Sequence, residues 1–311
     1  MRNILLTIEY DGTGFSGWQR QPGTRTVCGT LEEALSAVTG LDVKIDGTSR
    51  TDAGVHALGQ RASFLLPDRG IPAERIPRAV NDRLAAMCGE AGADVRVVAA
   101  EEVPEGFHAR FSSRGKRYIY RVLCGAEPSA FARTRFCQIE ETLDAEAMRE
   151  AAAHLVGEHD FAAFRSSGGN PVNSTVREIY EIKIEELPAE GFGIRGAQRG
   201  AVASRDGAYG AADDCKGADG AAGLSAPREL RISVSGSGFL YNMVRIISGT
   251  LIEAGLGKRT PGSVLEALES GERARAGFTA PAQGLYLDEV FFGDRKGGAS
   301  RAEDPQDGGS L

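Results

Sequence analysis

The chain has 311 residues, 41% hydrophobic and 25% charged, which is long enough for a substantial core and ordinary for a globular protein. A formal net charge of −7 excludes a uniformly basic nucleic-acid binder, so any such partner has to be met by a local cationic field. No stretch reaches the ~18 apolar residues of a membrane span, and Cys28, Cys88, Cys124, Cys137 and Cys215 contain no CxxC pair, which leaves a zinc knuckle or disulfide framework without support.

Residues 4–10 (ILLTIEY) read as the first strand. Glu9 and Asp11 interrupt that run too early for a signal peptide, so a cytoplasmic location is expected. Residues 30–38 read as a helix with Leu31, Ala34, Leu35 and Val38 on one face. Strand 60–66 (QRASFLL), helix 72–87 with Pro72 near its start, and strand 94–100 (DVRVVAA) follow. The order β-α-β-α-β resembles half of a ferredoxin-like fold. A similar rhythm continues: strand 116–123, helix 143–156, strands 176–187 and 229–235, an apolar helix 241–255 capped by glycine, a short helix 263–268 and a closing strand 285–292. The expected fold is α+β, two related ferredoxin-like halves (1–105 and 106–293) on a mixed, mainly antiparallel sheet. Segment 189–227, with 20 Gly or Ala among 39 residues, lacks the apolar surface to offset its ordering entropy and is expected to be a disordered loop between two strands. The polar tail 294–311 is expected to be disordered as well.

The sharpest chemical signal is the run Arg50-Thr51-Asp52-Ala53-Gly54-Val55-His56-Ala57, which places a cation, a hydroxyl, a carboxylate and an imidazole in one loop before a strand. An aspartate before Ala-Gly often only makes a turn, but Arg50 and His56 are costly neighbours for a turn. A second signal lies between Phe107 and Ala126, where Arg110, Arg114, Lys116, Arg117 and Arg121 alternate with Phe107, Phe111, Tyr118 and Tyr120 and no acid intervenes. That pattern favours a phosphate-contacting surface formed by Arg110, Arg114, Lys116 and Arg117. The four histidines have poor ligand spacing, and no metal is expected.

The motif from Arg50 to Ala57 resembles the catalytic motif of the tRNA pseudouridine synthase A family. Four further blocks resemble that family in order: Tyr10-Asp11-Gly12-Thr13-Gly14-Phe15-Ser16-Gly17-Trp18-Gln19; Phe107-His108-Ala109-Arg110-Phe111-Ser112 with Lys116-Arg117-Tyr118-Ile119-Tyr120; Gly238-Phe239-Leu240-Tyr241-Asn242-Met243-Val244-Arg245; and Ala280-Pro281-Ala282-Gln283-Gly284-Leu285-Tyr286-Leu287. Five ordered blocks are far more specific than one motif. The resemblance implies a pseudouridine synthase fold with a central cleft, a homodimer, no cofactor, and tRNA uridines at positions 38, 39 and 40 as substrate. It implies that Asp52 is the essential carboxylate, as nucleophile or base, with Arg245 its basic partner. It further implies that Tyr118 is the active-site tyrosine, that Leu285 packs against the base, and that Arg50 helps flip the nucleotide. His56 reads as a loop organiser. Ser49, Asn242 and Ile246 depart from the family pattern, where Gly, His and Asn are common.

Two other readings compete. An RNA-binding module that lost its activity predicts loss of Asp52, Tyr118 or Arg245, and all three are present. A hydrolase using Asp52 with His56 predicts a nucleophile such as the serine of a G-x-S-x-G motif, and none occurs.

Overall fold

A computed structural model describes residues 1–89, 94–169, 171–189 and 227–293. The tail 294–311 and, apart from its end residues, segment 189–227 lie outside the described residues. Fifteen main elements follow in order: β1 (Arg2–Tyr10), α1 (Val27–Thr39), β2 (Asp46–Gly47), β3 (His56–Leu66), α2 (Ile76–Cys88), β4 (Val95–Val103), β5 (Ser113–Cys124), β6 (Cys137–Ile139), α3 (Ala145–Ala153), β7 (Gly157–Asp160), β8 (Val176–Pro188), β9 (Arg228–Gly236), α4 (Met243–Gly255), α5 (Ser263–Ser270) and β10 (Leu285–Phe292).

The strands form one mixed sheet in the order β4-β1-β3-β10-β5-β9-β8-β7, with β2 added to β3 and β6 to β5. The chain traces the same path twice. β1-α1-β2-β3-α2-β4 has spatial order 4-1-3-2, and β5-α3-β8-β9-α4-β10 repeats it, with antiparallel pairing inside each unit. This is the ferredoxin-like topology. The units join through a short parallel pair, Tyr286 with His56 and Leu287 with Ala57.

Local sequence explains the element ends. In β1, Ile4, Leu6, Ile8 and Tyr10 alternate into the core, with β-branched and aromatic side chains suited to a pleated surface. Helix α1 begins three residues before its apolar stripe predicts, because the Thr26 hydroxyl accepts from Gly29 N at 3.2 Å and caps the first turn. Helix α3 starts where the Asp144 side chain accepts from the amides of Glu146 and Ala147. Helix α4 is buried nearly all round, as an apolar helix without a polar face must be. Its C-cap is Leu256 rather than the glycine expected. Helix α1 packs on α2, α2 on β4, α3 on α4 and β8, and α4 on β5. Each unit therefore carries its helices on the core face, and one continuous apolar core runs beneath both pairs.

Strands β8 and β9 remain paired to their ends. Pro188 faces Arg228, and Ala189 N donates to Pro227 O at 3.4 Å. Replacing residues 190–226 with an Asn-Gly turn is thus expected to raise the thermal midpoint, since loop-closure entropy falls by about 0.6 kcal/mol per halving. Differential scanning calorimetry checks this; a lower midpoint or loss of cooperative unfolding would show that the segment supports the core.

Candidate active site

Residues 48–55 link β2 to β3 and carry Asp52. The backbone has few ladder partners here, so side chains from neighbouring elements satisfy it. The Gln60 amide brackets Ser49, donating to its carbonyl at 2.7 Å and accepting from its N–H at 3.3 Å. The Tyr10 hydroxyl pairs with Thr51 Oγ1 at 2.7 Å, and Trp18 N donates to Thr51 O at 3.0 Å. Close approach accounts for two glycines of the 10–19 block. A Cβ on Gly12 would lie 2.0 Å from Val55 O, and one on Gly17 2.6 Å from Thr51 O. The N-terminal block is therefore the cradle of the Asp52 loop.

Asp52 is 37% exposed and Arg245, on α4, 18%; Nη1 of the arginine lies 3.6 Å from Asp52 Oδ2. At that distance the contact is an ion pair rather than a hydrogen bond. The strong bonds of Arg245 hold it in place: Nε donates to Ala280 O at 2.7 Å and Nη1 to Asn242 Oδ1 at 2.9 Å. Burial raises the Asp52 pKa above the ordinary carboxylate range, and Arg245 pulls against it without cancelling the rise.

Tyr118, on central strand β5, is buried beside this pair, edge-on to Phe239 with ring centroids 5.3 Å apart. Burial pushes its phenol up to about 12; the Ser49 hydroxyl pulls it back and the Asp52 charge raises it further. At neutral pH it is a neutral hydrogen-bond donor. Cross-strand partners share a sheet face. Leu287 opposes Tyr118, and Leu285 opposes Tyr120, so Leu285 is a diagonal neighbour of Tyr118 on the same face. Tyr120 is fully buried and donates to Pro281 O at 2.8 Å, which makes it a core residue.

His56 is on the other side. It pairs with Tyr286 across the β3–β10 junction and stacks on that ring at 4.6 Å, one residue out of phase with Leu287 and Tyr118. Only 1% exposed, it accepts from Gly12 N at 3.1 Å through Nδ1, and burial lowers its pKa, so it is neutral. Asp11 Oδ1 is also 3.1 Å from Nδ1. The Gly12 bond leaves no proton there, and Asp11 is satisfied instead by Arg135 at 2.7 Å and by Thr13. His56 organises the loop from behind.

The cations do not form one surface. Arg117, on the opposite face of β5 from Tyr118, is bound by Asp288 at 2.5 Å and Glu289 at 2.7 Å. Arg121 is held bidentately by Glu229. Arg110 and Arg114 are exposed, and Lys116 lies on the Tyr118 face. Arg50 is exposed at the loop and, among the described residues, has no side-chain partner. Sequence reasoning missed Gln60 as the loop's bracket and Asn242 as the anchor of Arg245. Asn242 is the sole non-glycine at positive φ (+61°) among the described residues, and Nδ2 donates to Ser166 Oγ at 3.0 Å. Asn tolerates that conformation better than other side chains do, a signal legible only once the helix start is known. Among the described residues no cluster of three His, Cys, Asp or Glu side chains could hold a metal ion, and no helix is long and apolar enough to cross a membrane.

Fold and site define the class: an α+β protein of two ferredoxin-like units with one carboxylate beside a guanidinium where the loop of one unit meets a helix of the other. Comparison with known proteins makes this specific. The family model described as tRNA pseudouridine synthase matches residues 6–112 and 151–293. The chain is 41% identical over 292 residues to tRNA pseudouridine synthase A of Ruminiclostridium cellulolyticum, covering 94% of this chain and 100% of that protein. It is 39% identical to the protein of the same name from Acetivibrio thermocellus, again covering 94% and 100%. With that of Bacillus pumilus it shares 41% identity over 291 residues, covering 93% and 98%. The chain belongs to the tRNA pseudouridine synthase family.

Proposed function

We propose that this protein isomerises uridine to pseudouridine in the anticodon arm of tRNA, at positions 38, 39 and 40. The observation that carries the reading is the convergence of Asp52, Arg245 and Tyr118, contributed by the loop of one unit and by a helix and a strand of the other. The reaction breaks the C1′–N1 bond, turns the freed uracil and joins C5 to C1′; the C5 hydrogen leaves and N1 gains a proton. No atom is added, so the chemistry needs no cofactor. Asp52 supplies the carboxylate at the ribose. Arg245 keeps it ionised against the burial that opposes ionisation. Tyr118 meets the uracil on the cleft floor, with Leu285 packing beside it. Arg50, exposed and without a side-chain partner among the described residues, offsets part of the few kcal/mol needed to extrude the nucleotide. Of the cationic run, Arg110, Arg114 and Lys116 are the candidates for RNA contact.

The family resemblance extends the reading to a cytoplasmic homodimer in which one subunit grips the tRNA body while the other modifies it. Recognition across three neighbouring sites is read as recognition of shape and backbone. The test is tRNA tritiated at uridine C5. The wild-type protein is expected to release tritium to water in step with pseudouridine formation. A protein that binds this tRNA and releases none would be a binding module instead.

A further inference from the structure

The rim of the Asp52 loop carries two cations, Lys116 and Arg110, that pair with no acid among the described residues; the Asp46 carboxylate lies close to this cluster, 3.6 Å from the His108 ring. Lys116 Nζ donates to Thr48 O at 3.0 Å. The same Thr48 donates through Oγ1 to Ala109 O at 3.0 Å, which ties the turn 108–111 to that point. Arg110 stands on that turn, near enough to add its charge to the burial that pushes the Lys116 amine down to about 8. Among the described residues neither Lys116 nor Arg110 has an ion-pair partner, whereas Arg117, Arg121 and Arg245 each face a carboxylate. A half-buried ammonium with one donor spent on a carbonyl and two remaining is unusual without a counter-charge. On the same turn as Arg110 the Phe111 ring is 76% exposed, with His108 tilted against it at 4.5 Å and the Arg110 guanidinium 5.6 Å from its centroid. A single exposed aromatic means little; one flanked by a guanidinium and an imidazole, with a second cation close to that guanidinium, matches the stacking platforms that hold single-stranded nucleic acid.

Resting on the reading of this chain as a tRNA enzyme, we propose that Lys116, Arg110 and Phe111 form a binding site for one unpaired nucleotide flanking the target uridine. Lys116 and Arg110 take its phosphate, and Phe111 stacks on its base. The phosphate supplies the missing counter-charge. The unpaired base finds a ring already fixed against His108, so little side-chain entropy is lost on stacking.

The experiment measures the affinity of the full chain for unmodified tRNA across a KCl series. Lys116→Gln and Arg110→Gln are each expected to lower the slope of log affinity against log salt by about 0.7–0.9, the value of one phosphate contact. Phe111→Leu is expected to weaken binding about tenfold with the slope unchanged, since stacking carries no counterion. Lys183→Gln, an exposed lysine on β8 paired with Glu181, is the control and leaves both quantities as they are. Oligouridylate is expected to compete at this site and inorganic phosphate is not; equal competition by phosphate would reduce it to an anion site and overturn the nucleotide reading. Unchanged slopes in the two charge variants, or an unaffected Phe111→Leu, would also overturn it. Arg110 and Phe111 are on the surface, so their variants test the site even where Lys116→Gln disturbs the loop; a melting curve reports that. Tritium release by wild type runs alongside. Release with unchanged slopes rejects this site alone, and altered slopes without release reject the isomerase reading.

Discussion

Asp52→Asn is expected to reduce tritium release from C5-labelled tRNA by at least about four orders of magnitude while tRNA affinity stays within about twofold of wild type. The size of the loss is that seen when an enzyme's reacting group is removed rather than merely misplaced. The change keeps the shape of the side chain and removes the charge that attacks or deprotonates the ribose. Affinity survives because phosphate contact is carried by cations elsewhere, and Asp52, an anion, contributes nothing favourable to it. A stability measurement separates this from unfolding. Burial raises the folded-state pKa of Asp52, so the protonated form is the one the fold prefers. That preference stabilises the protein below the unfolded-state pKa and is lost as pH rises through the folded one. At pH 7 the ionised carboxylate therefore works against folding, and Asp52→Asn is expected to melt no lower than wild type. An inactive variant with a lower midpoint, or one that keeps more than about 1% of the rate, would remove Asp52 from the chemistry.

That opposition between stability and ionisation could not be read from the sequence, although the identity of the loop could. The long elements were legible because their apolar periods are clean: β1 alternates Ile4, Leu6, Ile8 and Tyr10, and α4 is predominantly apolar, with Arg245 and Glu253 its charged residues. The short strands β2, β6 and β7, of two to four residues, carry too few positions for any period to register. They are strands only because a long neighbour offers a free edge. The repeat of spatial order 4-1-3-2 was legible as rhythm but not as pairing, since most pairs join residues tens of positions apart and those of β5 with β9 and β10 more than a hundred.

The site was legible in its residue types and illegible in its faces. His56 is four residues from Asp52, but the turn at Ala53 and Gly54 lies between them, and His56, the first residue of β3, is on the far side of the sheet against Tyr286. Arg117 is one residue from Lys116, and the alternation of side chains along β5 separates them. Lys116 turns toward the Asp52 loop, while Arg117 is taken up by Asp288 and Glu289, 171 and 172 residues further on. Linear spacing therefore overestimated the cationic surface. It also hid Asn242 and Gln60, whose work is to hold a guanidinium and a backbone segment, and whose amides look like any polar surface residue until their partners are known.

Arg245 offers the second large effect, and its variants separate charge from geometry. Arg245→Gln removes the one influence that lowers the Asp52 pKa and leaves burial unopposed. Activity requires the ionised carboxylate, so the rate falls as pH drops through the Asp52 pKa. In Arg245→Gln this acid limb is expected to move to higher pH. At the pH optimum the rate is expected to fall about tenfold to a hundredfold, because the carboxylate also loses its orienting partner. Arg245→Lys keeps a positive charge near Asp52, so its acid limb stays close to wild type. A single ammonium cannot reproduce the guanidinium's fork toward both Ala280 O and Asn242 Oδ1. Both variants are thus expected to melt lower, by roughly 1–3 kcal/mol of stability for a buried acceptor left unpaired. The decisive measurement is the pH–rate profile of single-turnover tritium release. A displaced acid limb in Gln but not in Lys ties the ionisation of Asp52 to the charge on Arg245. Identical limbs in all three proteins would show that a different group governs the acid side of the reaction.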